Sequence, residues 1–254
     1  MTDKLPQIMP RTIVVLDEKT YKVMASEPSK IELLENQDAM VVPYTGSIKV
    51  NAESVGAIRN VLLSSGQLAP ENLLIKNPFT TTGYVQATSA QDALATFAAD
   101  KYHHFANVIR LLGAREVHLE EAKGVDQTLE VQGKAKGNKV ATAELDASIG
   151  IRKKITARLQ AEMAFPGADA APEEALAYMQ KHLLSGDPQM EALVEMRRPP
   201  NQIQKYKLSF NCLRESATNV KAAASVAALV GLGLNFNFDT HALNDIEIVT
   251  EITF

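Results

Sequence analysis

The stretch ATAELDASIGIRKKITARLQAEMAF, residues 141–165, decides how the rest of the chain is read. Its odd positions are Ala141, Ala143, Leu145, Ala147, Ile149, Ile151, Ile155, Ala157, Leu159, Ala161, Met163 and Phe165, with Lys153 the single break. The even positions are mostly Thr, Glu, Asp, Arg, Lys and Gln. A repeat of two held over that distance is the mark of a strand with one buried face. Unbroken, such a strand would run about 80 Å at ~3.3 Å per residue. A compact chain of this length has a radius of gyration of only ~18 Å. The ribbon is therefore expected to bend near Gly150, or the molecule to be elongated. Strand is expected on both sides of Gly150, with the odd-numbered residues turned toward a core helix.

That helix lies upstream. Ser89 and Asp92 give a start signal, and Leu94, Phe97, Ala98, Tyr102, Phe105, Ile109 and Leu112 form one apolar stripe closed by Gly113. From Glu116 the period drops to 2. Val117, Leu119 and Glu121 share one face, Leu129, Val131 and Ala135 another, and Gly137-Asn138 makes a turn. Nearer the start, residues 13–16 and 21–24 read as a hairpin around Asp17-Glu18-Lys19-Thr20. Residues 39–42 and 47–50 do so around Pro43-Tyr44-Thr45-Gly46. Asn51 then caps a helix carrying Val55, Ile58, Val61 and Leu62, and Gly66 ends it. Residues 68–83, with Pro70, Asn77-Pro78 and three threonines, read as a loop.

Downstream, residues 172–184 and a segment opened by Asp187-Pro188 read as helices, the second ended by Pro199-Pro200. Tyr206, Leu208, Phe210 and Cys212 alternate as a strand, as do Ile246, Ile248, Ile252 and Phe254. Residues 219–238 are mixed: alanines favour helix early, while Leu232, Leu234, Phe236 and Phe238 alternate later. The apolar run 222–234 is too short for a spanning helix of ~20 residues but long enough for a spanning β-strand of ~9–11, and its other reading is a buried core segment. The fold expected is α+β, one domain over 1–254 of long antiparallel β-strands with three or four packed helices. It is more helical over 51–113 and β-rich over 116–165 and 202–254.

Composition narrows the class. The 254 residues carry 26 Lys+Arg against 30 Asp+Glu, a net charge of −4, with 46% hydrophobic and 22% charged residues. That is enough apolar material for a core, and it excludes disordered, collagen-like and disulfide-scaffold chains. The acidic balance argues against a dedicated nucleic-acid binder. Cys212 is the single cysteine, so no intrachain disulfide forms. The start, MTDKLPQIMPRT, lacks the apolar core of a signal peptide, so a cytoplasmic location is expected.

Chemistry-bearing patterns are thin. The histidines are His103, His104, His118, His182 and His241, and no H-E-x-x-H or H-x-H spacing sets two imidazoles on one side of an element. Asp239, His241 and Asp245 sit near a turn, where polar residues are ordinary. There is no G-x-S-x-G and no phosphate loop, and Gly231-Leu232-Gly233 lacks the rest of a dinucleotide fingerprint. Cys212 lies on the apolar face of its strand, the place of an inert core thiol. Glu121-Ala122-Lys123 is the one catalytic-looking triplet. It resembles the strand-borne E-x-K half of metal-dependent nucleases of the PD-(D/E)xK type. The resemblance implies that Glu121 would hold Mg²⁺ and Lys123 would position a water or stabilise charge. That family also needs an acid on a neighbouring strand, and the nearest upstream acids, Asp92 and Asp100, fall on the core helix.

A basic cluster, Lys134, Lys136, Lys139, Arg152, Lys153, Lys154 and Arg158, lies on the ribbon without interleaved aromatics. An acidic partner or an anionic membrane is its natural complement, and a nucleic-acid stacking platform is not expected. The leading expectation is a non-catalytic interaction or assembly protein with no cofactor and no metal. Its partner would be a protein, a second copy, or an anionic bilayer in the general manner of β-pore formers such as gasdermins, a likeness of architecture that no motif carries. The candidate binding residues are Lys134, Lys136, Lys139, Arg152, Lys154, Arg158, Val226, Leu232 and Leu234. The alternative is a Mg²⁺-dependent nuclease built on Glu121 and Lys123.

Overall fold

The computed structural model describes residues 9–27, 38–45, 53–123, 150, 153–157, 159, 163–200, 202–232 and 247–254. The fold is mixed α and β, with two four-stranded sheets. The chain forms two compact units, one of residues 1–77, 81–93 and 218–237, the other of residues 78–80, 94–217 and 238–254.

The first unit begins with β1 (Thr12–Leu16), buried along its whole length. Asp17 then turns the chain into helix α1 (Glu18–Ser26), its Oδ1 accepting from the Thr20 amide at 3.0 Å and its Oδ2 from the Thr20 hydroxyl at 2.6 Å. Those two bonds hold the Asp17 carboxyl below its ordinary pKa. The expected hairpin over 13–24 is thus a strand and a helix. A capping aspartate outweighs two steps of alternation, and Val23 is left 50% exposed while Met24 is buried. Strand β2 (Ala39–Pro43) runs parallel to β1, as a strand–helix–strand crossover requires. The expected partner strand at 47–50 lies outside the described residues, as does Asn51. Helix α2 (Glu53–Ser64) buries Val55, Ile58 and Leu62 and ends at Gly66 as read.

Where a loop is expected, β3 (Leu73–Lys76) pairs antiparallel with β1, and β4 (Tyr84–Gln86) pairs with β3. Leu73-Leu74-Ile75 is buried throughout, so it shows no alternation to betray a strand. The sheet order is β2-β1-β3-β4. Its core joins Ile13, Val15, Val42, Ile58, Leu62 and Leu74.

In the second unit the long helix α3 (Ala90–Leu111), whose residues from Leu94 on belong here, buries Leu94, Phe97, Ala98, Tyr102, Phe105 and Ile109, the expected stripe. At its end a Cβ on Gly113 would stand 2.4 Å from the Ala168 carbonyl oxygen, and its φ of +86° suits glycine alone. Strand β5 (Glu116–Lys123) is flanked by the short β6 (Met163–Ala164) and by β8, and β7 (Lys205–Asn211) pairs with the far side of β8 (Glu247–Thr253). Every pairing in this β6-β5-β8-β7 sheet is antiparallel. Phe105 meets Phe210 of β7 at 4.7 Å between ring centres. Cys212, just past β7, is fully buried, which pushes its thiol pKa up to about 12.

In its second half the ribbon expectation fails over residues 153–157 and holds at the short β6. Residues 153–157 are helical, with Ile155 and Leu159 buried and Ala157 exposed. The odd face is therefore not the buried face. Residues 141–149, like 129–138, lie outside the described residues. Helices α4 (Pro172–Lys181) and α5 (Pro188–Met196) follow where read, the second capped by Asp187 through the amides of Gln189 and Met190. Arg197 is buried, donates to the carbonyls of Leu112 and Ile203, and lies 4.2 Å over the Phe254 ring. Helix α6 (Arg214–Val230) resolves the mixed stretch in favour of helix as far as Val230. Its residues from Thr218 on belong to the first unit, where Val220, Ala223, Val226 and Ala227 are buried. Among the described residues the strands run from two to eight residues, and six helices stand beside the helical residues 153–157 where three or four were expected.

Candidate functional site

The E-x-K triplet sits on β5, and the ladder adds what upstream sequence could not. A bulge between Leu119 and Glu121 shifts the register by one, so the alternation expected from Val117 through Leu119 to Glu121 is interrupted. Glu121 pairs instead with Val249 and Lys123 with Glu247. The acidic residue at a paired position of a neighbouring strand is thus Glu247 on β8, downstream in sequence, while Asp92 and Asp100 remain on α3 as read. Glu247 accepts a 2.5 Å bond from the Ser209 hydroxyl. Glu251 pairs with Lys205, a contact that lowers its carboxyl pKa, and Lys207 reaches Glu120 Oε1 at 2.7 Å. This sheet face is a set of cross-strand charge pairs. Among the described residues no three His, Cys, Asp or Glu side chains stand together in a way that could hold a metal.

The basic ribbon is only partly visible. Lys134, Lys136, Lys139, Arg152, Arg158 and Leu234 lie outside the described residues, as do Asp239, His241 and Asp245. Lys153 is exposed and Lys154 half-buried on the helical residues 153–157. Of the candidates on α6, Val226 is only 5% exposed, and Leu232, just past the helix, is half-buried. The apolar side chain that does stand out on α6 is Leu229, 54% exposed. No helix among the described residues is long and apolar enough to cross a membrane.

Two constellations escaped sequence reading. Lys101 occupies a core position of the α3 stripe, four residues after Phe97, and is 1% exposed. Its Nζ lies 2.8 Å from Asp187 Oδ2, 2.9 Å from Glu215 Oε1 and 2.8 Å from the Asn211 carbonyl oxygen. The signal was a lysine at helical spacing inside an apolar stripe. The second is a ring cluster between α3 and α4. His104 Nδ1 lies 2.8 Å from the Tyr178 hydroxyl, and the His182 ring sits 4.4 Å from that of His104 and 4.3 Å from that of Tyr178. Phe79 closes it at 5.9 Å from His104. Burial first, then the charges of His182 and His103, pull the His104 pKa down to about 4. Burial and Lys181 lower that of His182. No spacing within one element could reveal this pair, because its members come from two helices. No protein-family model, no curated protein and no solved structure matches this chain.

Proposed function

We propose that the chain is a non-catalytic assembly protein whose partner is a protein, a second copy of itself, or an anionic membrane. The observation that supports this reading is topological. Strand β5 ends at Lys123 and β8 begins at Glu247, directly opposite one another in the ladder. The chain therefore leaves β5 toward the alternating run 141–149, and enters β8 from the alternating run 232–238, at neighbouring positions of one sheet end. In a bilayer such runs would have to pair into closed β structure, since a lone strand leaves its backbone groups unsatisfied. The lysines and arginines at 134–158 would add about 1 kcal/mol each of attraction to anionic lipid. Leakage from anionic vesicles tests the membrane arm. The parent protein is expected to release dye, and Leu145→Asp and Phe236→Asp to lose release while melting like the parent. A parent that releases nothing at any concentration, before and after limited proteolysis, removes the membrane and leaves a soluble partner.

One observation favours the nuclease as a second reading: β8 sets Glu247 opposite Lys123. Under the leading reading, no cleavage of DNA or RNA with Mg²⁺ or Mn²⁺ is expected. Cleavage that Glu121→Ala, Lys123→Ala and Glu247→Ala each abolish would reverse the order of the two.

A further inference from the structure

The ring cluster of His104, Tyr178 and His182 carries an inference that is independent of the assembly reading. Helix α4 meets α3 through Tyr178 and His182, one turn apart on one face, with His182 standing at the helix end. The charges acting on His104 are those of His182 and of His103 on α3, and the charge acting on His182 is that of Lys181 on α4. Arg110 and the Asn107 amide act on Tyr178, and the 78–80 segment contributes the uncharged Phe79 ring. All of these charges are positive. The residue after His182, Leu183, is held at φ +57°, a left-handed backbone that L side chains resist. We propose that this cluster makes the docking of α4 on α3 acid-labile, so that α4 is released as pH falls through the ordinary histidine range.

The physical reasoning is linkage. Tilted by 38° with their centres 4.4 Å apart, and half-buried, the neutral rings pack and the charged rings repel. Undocked, each imidazole regains water and its ordinary affinity for protons. A histidine whose pKa is depressed in the docked state adds stability above its ordinary pKa, and that stability is lost as pH falls toward the depressed value. For His104 the window runs from 6.5 down to about 4. Within it the docked-to-undocked ratio falls by up to about tenfold per pH unit for each proton taken up.

Hydrogen exchange of the full chain at about pH 7 and about pH 5, corrected for intrinsic rates, reads this directly, with α5 as the internal reference. The protection of α4 amides is expected to fall at least about tenfold relative to α5. The double variant His104→Phe, His182→Phe keeps the rings without the titration and is expected to lose that difference. Equal loss in α4 and α5, or the same loss in the double variant, overturns the proposal. Should the double variant fail to fold, proton NMR of the parent decides. A His104 ring titrating far below the ordinary range supports the device, and one titrating at the ordinary value overturns it.

Discussion

Lys101 shows how much one buried charge can organise. Its three N–H donors go to Asp187, Glu215 and the Asn211 carbonyl, so it joins the cap of α5, the first turn of α6 and the end of β7. Taking the cation away leaves Asp187, itself nearly fully buried, without its counter-charge. Lys101→Met is therefore expected to cost ~3–5 kcal/mol in urea unfolding. Glu215→Gln, at a side chain 34% exposed, is expected to cost about 1 kcal/mol or less. Equal midpoints for the parent and Lys101→Met would show that the network contributes nothing. The stripe around Lys101 was legible, since Phe97, Tyr102 and Phe105 share its spacing. The partners were not, because Asp187 and Glu215 are far away in sequence and only the packing of three elements brings them to one ammonium.

At the level of elements, helix ends were easier to read than strand faces. Four helices close with the same pair of backbone bonds. In α2 and α3 the residue in the left-handed region is Gly66 or Gly113, and in α6 it is Gly231. In α4 it is Leu183, where the Leu184 amide reaches the Met179 carbonyl at 2.9 Å. Leu183 is 49% exposed, so little packing is lost on truncation. Leu183→Gly is expected to stabilise the protein by about 1 kcal/mol, while Leu183→Ala, which keeps a Cβ, is not. A thermal melt in which Gly and Ala behave alike would contradict that account. Residues 151–159 teach the opposite lesson. Ile151, Ile155 and Leu159 are spaced by four, so they satisfy a helix as well as an alternation. The two geometries part at Ala157, which a strand would bury beside Ile155 and a helix turns outward. Ala157→Glu should be nearly silent and Ile155→Asp should cost several kcal/mol. A large penalty for both would restore the strand.

For the whole molecule, the order of residues along the chain differs from their order in space. The first unit takes residues 1–77 and 81–93 and then waits for 218–237. Asn219 donates to the Lys76 carbonyl at 2.9 Å across 143 positions of sequence. A fragment of residues 1–93 lacks the helix carrying Val220, Ala223 and Ala227, and is expected to give a poorly dispersed amide NMR spectrum; a well-dispersed one would show that this unit folds alone. Such a return was invisible in sequence, where the 219–238 stretch announced only its own apolarity. Cys212 turns the same architecture into an instrument. A sole cysteine, wholly buried with its thiol held to about 12, is shielded from an alkylating reagent while the fold around it stays closed. Each molecule tagged in a brief pulse of reagent has therefore opened at least once, and the mass shift of a single adduct counts those openings without any engineered probe.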